Sequence, residues 1–570
     1  MQRFVVMLMA IGMLVLVGAR LWSPTVAALH DPEAAPLRQP RIRGGMPASP
    51  EGQTEANVAA PQPPEFAPGQ QVMIELTEPP APRYLSVKTD GNDEFYGRLV
   101  REESHGRAVF DPSLGRAARE FVYQFSNLGM DPPSDVRTFL TTSSGAIAAD
   151  TVFQHLRSNS DAESALRQAI RAVLDASTTG AGLLHLGIGE VYQPGASLMR
   201  HIGVVGTKLG IDVDPMERRV ALGERWRLSG RLRAQWRNLE ALVLRPNGAL
   251  DKLPVQLTGD RLEVAVSGED MPGAVELQVV GEGPDGPGKL VQVRVEVGQP
   301  LPTRYEATLP PDESALKTAS AAAAYAMQLL NADRQKHKVP HLSWDVALAD
   351  IAKEHSADMR DNKFFGHVSP TTGMHPDRLA KAKYLAIASA ENVAHNPSIF
   401  EAELGLMHSL GHRRNILDPE LTHVGIGVAG AEDDQGRMRW WVTQLFARPT
   451  PHLTPEAAVA EVRRQLAAQR HDLDLPELAG DAALDDVADQ ALAFAVNDQL
   501  QDASNRALAL AQERHAMHGR LRVWTAVTAD LAQLQWPDAV KLPASRALGV
   551  AAAQREDGRV ALILLVAETN

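Results

Sequence analysis

The chain of 570 residues contains no cysteine. Disulfides, thiolate zinc sites and a cysteine nucleophile are therefore excluded, and any metal must be bound by His, Asp, Glu or backbone oxygen. Basic residues are also scarce relative to acidic ones, with 57 Lys and Arg against 70 Asp and Glu, a net charge of −13. This balance argues against a global phosphate-binding surface, so we expect no nucleic-acid partner.

The sequence lacks an uncharged apolar run long enough to cross a bilayer, which takes roughly 20 residues. Its clearest apolar run, residues 4–19, lies between Arg3 and Arg20 and is typical of a signal h-region. Val26 and Ala28 suit cleavage after Ala28. We expect residues 1–28 to be a cleaved signal peptide or a retained anchor, and the protein to be secreted, periplasmic or held in the cell envelope. Membrane contact then requires an uncleaved N-terminal segment.

The whole chain is 44% apolar and 22% charged, which is typical of folded proteins. Its body divides into blocks of different composition. The predicted class is multidomain α+β. Short alternating strands separated by turns such as Pro246-Asn247-Gly248 indicate an immunoglobulin-like β-sandwich before the central α+β unit. The predicted divisions are a disordered linker at 29–70, an α+β unit at 71–209, the β-sandwich at 210–298, a linker at 299–315, and two further α+β units at 316–448 and 455–570.

Internal similarity links the α+β units. The spacing Asp345-x2-Leu348-x3-Ala352 returns as Asp-x2-Leu-x3-Ala from Asp481, and more faintly from Asp111. His185-Leu-Gly-Ile-Gly also resembles His423-Val-Gly-Ile-Gly. The interpretation we favour is three related units, of which only the central one kept polar chemistry. The alternative is chance similarity between alanine-rich amphipathic helices.

Histidine is concentrated in the central unit. Nine of the 18 histidines lie between residues 320 and 449. Histidine is the usual proton carrier near neutral pH and the commonest metal ligand. The chemistry of the chain is therefore expected there.

The same segment carries ordered motifs over about 130 residues. The motifs are Leu342-x-Trp344-Asp345, Gly366-His367-Val-Ser369-Pro370, Glu391-Asn392-Val-Ala394, Ser409-Leu-Gly411-His412-Arg413-Arg-Asn415, His423-Val-Gly425-Ile-Gly427 and Trp441-Val-Thr443-Gln444. In these motifs the segment resembles a CAP domain, the superfamily of cysteine-rich secretory proteins, antigen 5 and pathogenesis-related proteins, in its bacterial SCP-like form. The resemblance implies an α-β-α sandwich, and the sequence predicts helix N-caps at Asp345 and Ser398.

The resemblance implies a central cleft lined by His367, Glu391 and His412. The family's second acid belongs near Ser409, so one carboxylate of the usual four-residue set is missing. Two imidazoles and one carboxylate can hold Zn²⁺ with an open fourth position, which predicts at most a weak or labile zinc site. The preceding helical segment offers two other carboxylates, Glu401 and Glu403, and the spacing selects neither.

Two classes of function remain open. We favour a binding protein that takes a metal ion or a small extracellular or envelope ligand, such as a lipid or peptide, at His367, Glu391, Ser409 and His412. The alternative is a hydrolase using Ser369, His367 and Glu391, or a zinc-bound water held by His367, Glu391 and His412. The sequence contains neither a Gly-x-Ser-x-Gly elbow nor a His-Glu-x2-His helix, which weakens the hydrolase hypothesis. In purely structural interpretations, His412 caps a helix end and Glu391 accepts backbone N–H groups.

Overall fold

The computed structural model describes residues 66, 69–85, 91–147, 149, 151–158, 162–176, 182–193, 199–283, 286–433, 436–514 and 519–568. All of them belong to one compact unit, Val58–Asn570. The predicted signal or anchor at 1–28 and most of the predicted linker at 29–70 lie outside the described residues. Within the described residues, no helix is long and apolar enough to cross a membrane.

The first α+β unit contains one four-stranded sheet, ordered β2-β4-β5-β3. Strand β2 runs parallel to β4, and the other pairs are antiparallel. Asp111 caps α2 through the N–H groups of Ser113 and Leu114. The elements are β1 (Gln71–Glu75), α1 (Asp93–Ser104), β2 (Ala108–Phe110), α2 (Pro112–Leu128), α3 (Ser134–Ser143), β3 (Thr151–Ser158), α4 (Ala162–Ala176), β4 (Leu183–Gln193) and β5 (Met199–Leu209).

Between residues 211 and 297, the regular structure of the described residues consists of strands, in two sheets of order β10-β9-β13-β14-β7 and β11-β12-β8-β6. Leu228 and Val264 of one sheet and Val243 and Val293 of the other belong to a single buried core. Alternating side chains of the two sheets meet there because successive strand residues point to opposite faces. The strands are β6 (Ile211–Val213), β7 (Arg219–Val220), β8 (Trp226–Leu232), β9 (Arg237–Leu244), β10 (Leu250–Leu253), β11 (Gln256–Thr258), β12 (Arg261–Val266), β13 (Gly273–Gly283) and β14 (Gly286–Val297).

The segment 299–315, predicted to be a linker, contains strand β15 (Arg304–Thr308). It pairs antiparallel with β1, from Gln71 opposite Thr308 to Glu75 opposite Arg304. The pairing joins segments more than 200 residues apart, so local composition gave no sign of it. Phe66, within the predicted linker at 29–70, packs against Tyr325 with ring centroids 4.4 Å apart.

The central unit has three layers. Helices α5, α8 and α9 pack on one face of a sheet ordered β16-β18-β19-β17, and α6 and α7 pack on the other. Asp345 and Ser398 accept N–H bonds at the starts of α6 and α8, which confirms both predicted caps. The elements are α5 (Ala319–Lys336), β16 (Ser343–Trp344), α6 (Val346–Asp361), α7 (His375–Lys381), β17 (Ala386–Asn396), α8 (Ile399–His408), α9 (Leu410–Ile416), β18 (His423–Glu432) and β19 (Met438–Pro449).

The last unit has a sheet ordered β20-β22-β23-β21. Two 3₁₀ turns, Leu531–Gln533 and Asp538–Lys541, precede β22. The elements are α10 (Pro455–Asp472), β20 (Ala479–Gly480), α11 (Ala482–Val496), α12 (Leu500–Glu513), β21 (Arg520–Thr528), β22 (Ser545–Gln554) and β23 (Val560–Glu568).

The sheets of the three α+β units share one strand order and one pattern of parallel and antiparallel pairs. In each, a glycine lets a strand approach the backbone of the helix packed on it. A Cβ atom on Gly187, Gly425 or Gly549 would lie 2.0, 2.0 or 2.5 Å from helix backbone atoms. The same backbone geometry therefore recurs three times in the chain.

Candidate functional site

The candidate site lies at the edge of the central sheet, since β17 is its outer strand. Glu391 and Asn392 are consecutive on β17, so their side chains point to opposite faces. Glu391 lies on the face covered by α6 and α7, where it binds the loop that carries His367. Asn392 lies on the face covered by α8 and α9, where its Nδ2 donates to the carbonyl of His412 at 3.3 Å.

The carboxylate of Glu391 is almost fully buried and is bound from two sides. Nδ1 of His367 lies 3.1 Å from Glu391 Oε1. The guanidinium of Arg378, on α7, donates to Oε2, and both side chains of this ion pair are at most 4% exposed. Arg378 also donates to the carbonyl of Gly373 at 2.6 Å. The carboxylate therefore fixes the imidazole of His367 and the first helix that follows it.

Electrostatics keep this carboxyl group ionised. Burial acts to raise the pKa of Glu391, but the hydrogen bond and charge of His367 and the charge of Arg378 outweigh it and lower the pKa to about 2. As a carboxylate, Glu391 can only accept, so Nδ1 of His367 is the donating nitrogen. In neutral His367, Nε2 then carries the lone pair.

Two more imidazoles surround this carboxylate. Nε2 of His355, on α6, lies 4.0 Å from Glu391 Oε1 and 3.1 Å from the carbonyl of Gly366. Burial lowers the pKa of His355, despite the opposing charge of Glu391, so it is neutral near pH 7. Burial likewise lowers the pKa of His375, at the start of α7, to about 4. The core of the site thus holds one carboxylate and one permanent cation beside the neutral imidazoles of His355 and His375.

The imidazoles of His367 and His412 approach each other, with ring centroids 6.2 Å apart. The His367 side chain is 17% exposed, so the pair reaches solvent. On the opposite face Asn392 also donates to Gln444 Oε1 at 3.0 Å, and its Oδ1 accepts from Asn415 at 2.9 Å. These buried amides hold the α9 segment against β17.

The hydroxyl of Ser369 is engaged away from His367. Its Oγ donates to Asp358 on α6 and shares a 3.0 Å hydrogen bond with Thr371. It also accepts the N–H of Thr371 at 3.0 Å and of Thr372 at 2.9 Å. These contacts are those of a buried residue that orders a tight turn.

The remaining candidates are dispersed. Ser409 lies between α8 and α9, and its Oγ lies 3.4 Å from Gln278 of the neighbouring all-β unit. Glu401 lies 3.7 Å from Arg137 of α3. Glu403 accepts from Gln444 at 2.6 Å, and burial raises its pKa. The contacts described for Glu401 and Glu403 are not with the His367–His412 pair.

Zinc takes three or four protein ligands in most sites. Among the described residues, no group of three or more His, Asp and Glu side chains is arranged to hold a metal ion. Both oxygens of Glu391 are already bound, by His367 and Arg378. The residues present therefore offer two imidazoles rather than a formed three-ligand centre.

Sequence reasoning singled out His367, Glu391 and His412 but missed Arg378, His355 and Asp358. For His355 a signal existed, since it continues the buried stripe of Leu348, Ile351 and Ala352 on α6. Nothing in the spacing marked Arg378. Its partner lies across the sheet edge, and only the fold brings them together.

In the described residues of both flanking units, the position equivalent to Glu391 is apolar. In the central sheet, Glu391 pairs with Leu445, which pairs in turn with Gly425. The equivalent row of the first unit consists of Phe153, Val205 and Gly187, so Phe153 occupies the position of Glu391. In the last unit the same position is held by Val523, opposite Leu565 and Gly549. An apolar side chain thus replaces the carboxylate in both.

Comparison with known proteins identifies the central unit. The sequence model of the cysteine-rich secretory protein family, CAP, matches residues 327–446. The uncharacterized membrane protein YlbC of Bacillus subtilis (strain 168) is 35% identical over 119 residues, 20% of this chain and 34% of that protein. The uncharacterized protein YkwD of the same organism is 36% identical over 115 residues, 20% of this chain and 45% of that protein. The chain spans less than half the length of either relative.

A solved structure, an extracellular protein containing a SCP domain from Bacillus anthracis str. Ames, is 21% identical with a TM-score of 0.21 and covers 45% of this chain and 88% of its own. The family match covers the segment that holds His367, Glu391 and His412. The chain therefore carries, at residues 327–446, a CAP domain of the cysteine-rich secretory protein family, similar to those of bacterial proteins.

Proposed function

We propose that this chain is an exported binding protein of the cell envelope or exterior, whose CAP domain takes a ligand between the imidazoles of His367 and His412. One observation carries the proposal. Consecutive residues of the edge strand, Glu391 and Asn392, hold the two histidine-bearing segments from opposite faces, so that the rings meet at the sheet edge. A fold that needed these histidines only for packing would not require them to meet near solvent.

In this proposal Glu391 orients His367. A histidine whose Nδ1–H is donated to a carboxylate presents a more basic Nε2, an arrangement that recurs behind metal-binding histidines. The ligand classes that suit Nε2 of His367 beside the imidazole of His412 are a divalent transition metal with open positions, or a lipid or peptide group that donates hydrogen bonds. Zn²⁺ is the simplest probe of the pair. With two protein ligands, its affinity is expected to be modest.

Binding is favoured over hydrolysis because of Ser369. The hydroxyl that a Ser-His-Glu hydrolase would need is held by Asp358 and Thr371. His367 is then an oriented imidazole whose predicted nucleophile, Ser369, is bound elsewhere. The export expected from residues 1–28 and the family match support action outside the cytoplasm.

The rest of the chain acts as a scaffold in this proposal. The flanking units are CAP-like units in which Phe153 and Val523 replaced the carboxylate, and the all-β unit is immunoglobulin-like. Tandem modules of this kind gain avidity when several of them contact one surface. No nucleic acid is expected among the partners.

The test is the thermal stability and calorimetry of the full chain with and without Zn²⁺. We expect Zn²⁺ to raise the melting temperature of the wild type, and His367→Ala and His412→Ala each to abolish the rise. His341→Ala removes an exposed histidine of the same domain and is the matched control. It should keep the full shift.

Two outcomes would overturn the proposal. One is a wild type that binds no Zn²⁺ and whose stability is unaffected by it. The other is turnover of casein or of a p-nitrophenyl ester that Ser369→Ala protein loses. The second result would establish the hydrolase instead.

A further inference from the structure

The all-β unit contacts both histidine-bearing segments of the CAP domain through one hairpin, β13–β14. Helix α9, which carries His412, begins at Leu410, and the preceding N-cap residue, Ser409, makes no capping bond with its side chain. The N–H of Gly411 in its first turn donates instead to Oε1 of Gln278, on β13, at 2.8 Å. An amide from another domain therefore does the work of a helix N-cap.

The same amide group binds the helix junction a second time. Gln278 is fully buried, and its Nε2 lies 3.4 Å from Ser409 Oγ. Gln292, paired with Gln278 across the hairpin, donates to the carbonyl of His408 at 3.2 Å. Two adjacent glutamines thus bind the end of α8 and the start of α9, on either side of a single residue.

Close packing and charge reinforce this contact. A Cβ atom on Gly411 would lie 3.7 Å from Val280 Cγ1, an ordinary van der Waals distance. Arg414, one turn along α9, forms a 2.7 Å ion pair with Glu240 of β9. The junction is therefore ordered on the side that faces the all-β unit.

The hairpin also reaches the other imidazole-bearing segment. The backbone of Gly286, the first residue of β14, comes so near Val368 that a Cβ atom there would lie 2.7 Å from Val368 Cγ2. Val368 follows His367 directly. One hairpin thus contacts residues adjacent to each of the two imidazoles.

We infer that Gln278 is a positioning residue for the CAP site: by capping α9 from the neighbouring domain, it fixes His412 at its distance from His367. This inference deepens the proposed function and rests on it for the role of the two imidazoles. It makes the all-β unit part of the site rather than a spacer. The domain boundary at about residue 298 then separates two sequence blocks that build one site.

The test compares full-length proteins labelled with ¹³C-histidine, without metal and at one fixed pH. Gln278→Met keeps the length of the side chain but removes the cap, and we expect it to shift or broaden the imidazole Cε1–H signal of His412. The signal of His367 should not move, because Glu391 and Arg378 hold that ring. Gln256→Met, on the exposed strand β11, is the control and should change neither. Spectra of His367→Gln and His412→Gln assign the two signals.

A second variant tests the same prediction in case Gln278→Met misfolds. Gln278→Asn retains the amide but is too short to reach Gly411, so it should move the His412 signal in the same way. Zn²⁺ affinity should fall about tenfold or more in either variant, as when other residues that orient metal ligands are removed.

The outcomes separate this inference from the proposed function. If the wild type binds no Zn²⁺, the proposed function fails, yet the metal-free spectra still decide whether Gln278 positions His412. The inference is overturned if Gln278→Met and Gln278→Asn leave the His412 signal unchanged. It is equally overturned if the His367 signal moves as far as that of His412, because Gln278 would then act only on general stability.

Discussion

Arg378 and Glu391 form an ion pair in which the guanidinium and carboxylate are 4% and 1% exposed. The pair joins α7 to the edge strand β17 and fixes the acceptor for His367. Because neither charge is solvated by water, each depends on the other and on nearby hydrogen bonds. The pair is therefore as much a structural element of the CAP domain as part of its site.

Removing the charge of Arg378 should lower the stability of the protein. Arg378→Met leaves the Glu391 carboxylate buried without its guanidinium partner, and we expect a loss of about 3–5 kcal/mol in the free energy of unfolding. Urea unfolding at pH 7, followed by tryptophan fluorescence, measures the loss. The double variant Arg378→Met/Glu391→Gln should recover part of it, because no charge is then left alone.

The control is Arg360→Met, which breaks the more exposed pair with Asp361. Exposed pairs contribute about 0–1 kcal/mol, so this change should be small. Equal losses in Arg360→Met and Arg378→Met would contradict the role assigned to burial.

Two buried arginines are predicted to have the same structural role, binding backbone carbonyls, in two different units. Arg334 of α5 donates to the carbonyls of Pro340, Ile416, Asp418 and Leu421 at 2.6–3.4 Å. Arg470 of α10 repeats the pattern with the carbonyls of Pro476, Val540, Leu542 and Ser545, also at 2.6–3.4 Å.

Lysine lacks the planar fork that reaches several carbonyls at once. Arg334→Lys and Arg470→Lys should therefore each destabilise their own unit by about 2 kcal/mol or more. Hydrogen exchange resolved by unit measures this. Arg464→Lys, at an exposed position of α10, should change hydrogen-exchange protection little. The equivalence would be refuted if Arg334→Lys or Arg470→Lys lowered protection only in a unit other than its own.

Gly427 is predicted to tolerate no side chain. A Cβ atom there would lie 2.0 Å from the backbone nitrogen of Lys353 and 2.1 Å from the carbonyl carbon of Ala352. Since backbone atoms of α6 cannot yield, Gly427→Ala should cost about 3 kcal/mol or more in stability, measured by urea unfolding.

Gly405 is the matched control in the same domain. It lies inside α8, and a Cβ atom there would lie 3.7 Å from Ser134 Oγ, an ordinary contact. Because alanine is the better helix former, Gly405→Ala should stabilise the protein by roughly 0.5–1 kcal/mol. A destabilising Gly405→Ala would show that the α3–α8 contact is tighter than the distance indicates.

Glu401 should make the protein less stable as the pH rises. Burial raises its pKa from 4.5 to about 7, opposed by Arg137 and reinforced by Asp131 and Glu313. A raised folded-state pKa means that stability is fully present below about pH 4.5 and is lost as the pH rises through about 7. Glu401→Gln should remove this loss and be more stable than the wild type at pH 8, by on the order of 2 kcal/mol.

Urea unfolding at pH 4.5, 6 and 8 provides the measurement, with exposed Glu354→Gln as the control. Glu391 acts in the opposite direction. Because its folded-state pKa is lowered to about 2, its contribution is present above about pH 4.5 and is lost as the pH falls towards 2. A Glu401→Gln variant that gains as much stability at pH 4.5 as at pH 8 would show that packing, not ionisation, is responsible.

Much of the central domain could be predicted from the sequence because its signals are local. The caps at Asp345 and Ser398 depend on residues three positions away, and the alternation before Phe446 depends on neighbours in one strand. The recurring Asp-x2-Leu-x3-Ala spacing predicted the related units, and their sheets share one strand order. Strand β15, in contrast, was predicted as linker, because its partner β1 lies more than 200 residues earlier.

The sequence by itself determined which residue types were available: no thiol, a histidine-rich central segment, and motif spacings that place Glu391 and His412 in a CAP domain. Only the tertiary structure decided their partners. It paired Glu391 with Arg378, turned Ser369 towards Asp358, and capped the His412 helix with Gln278 from another domain. The physical reason is that backbone conformation follows from neighbours along the chain, whereas a buried charge or an uncapped N–H is satisfied by whichever group the fold brings within about 3 Å.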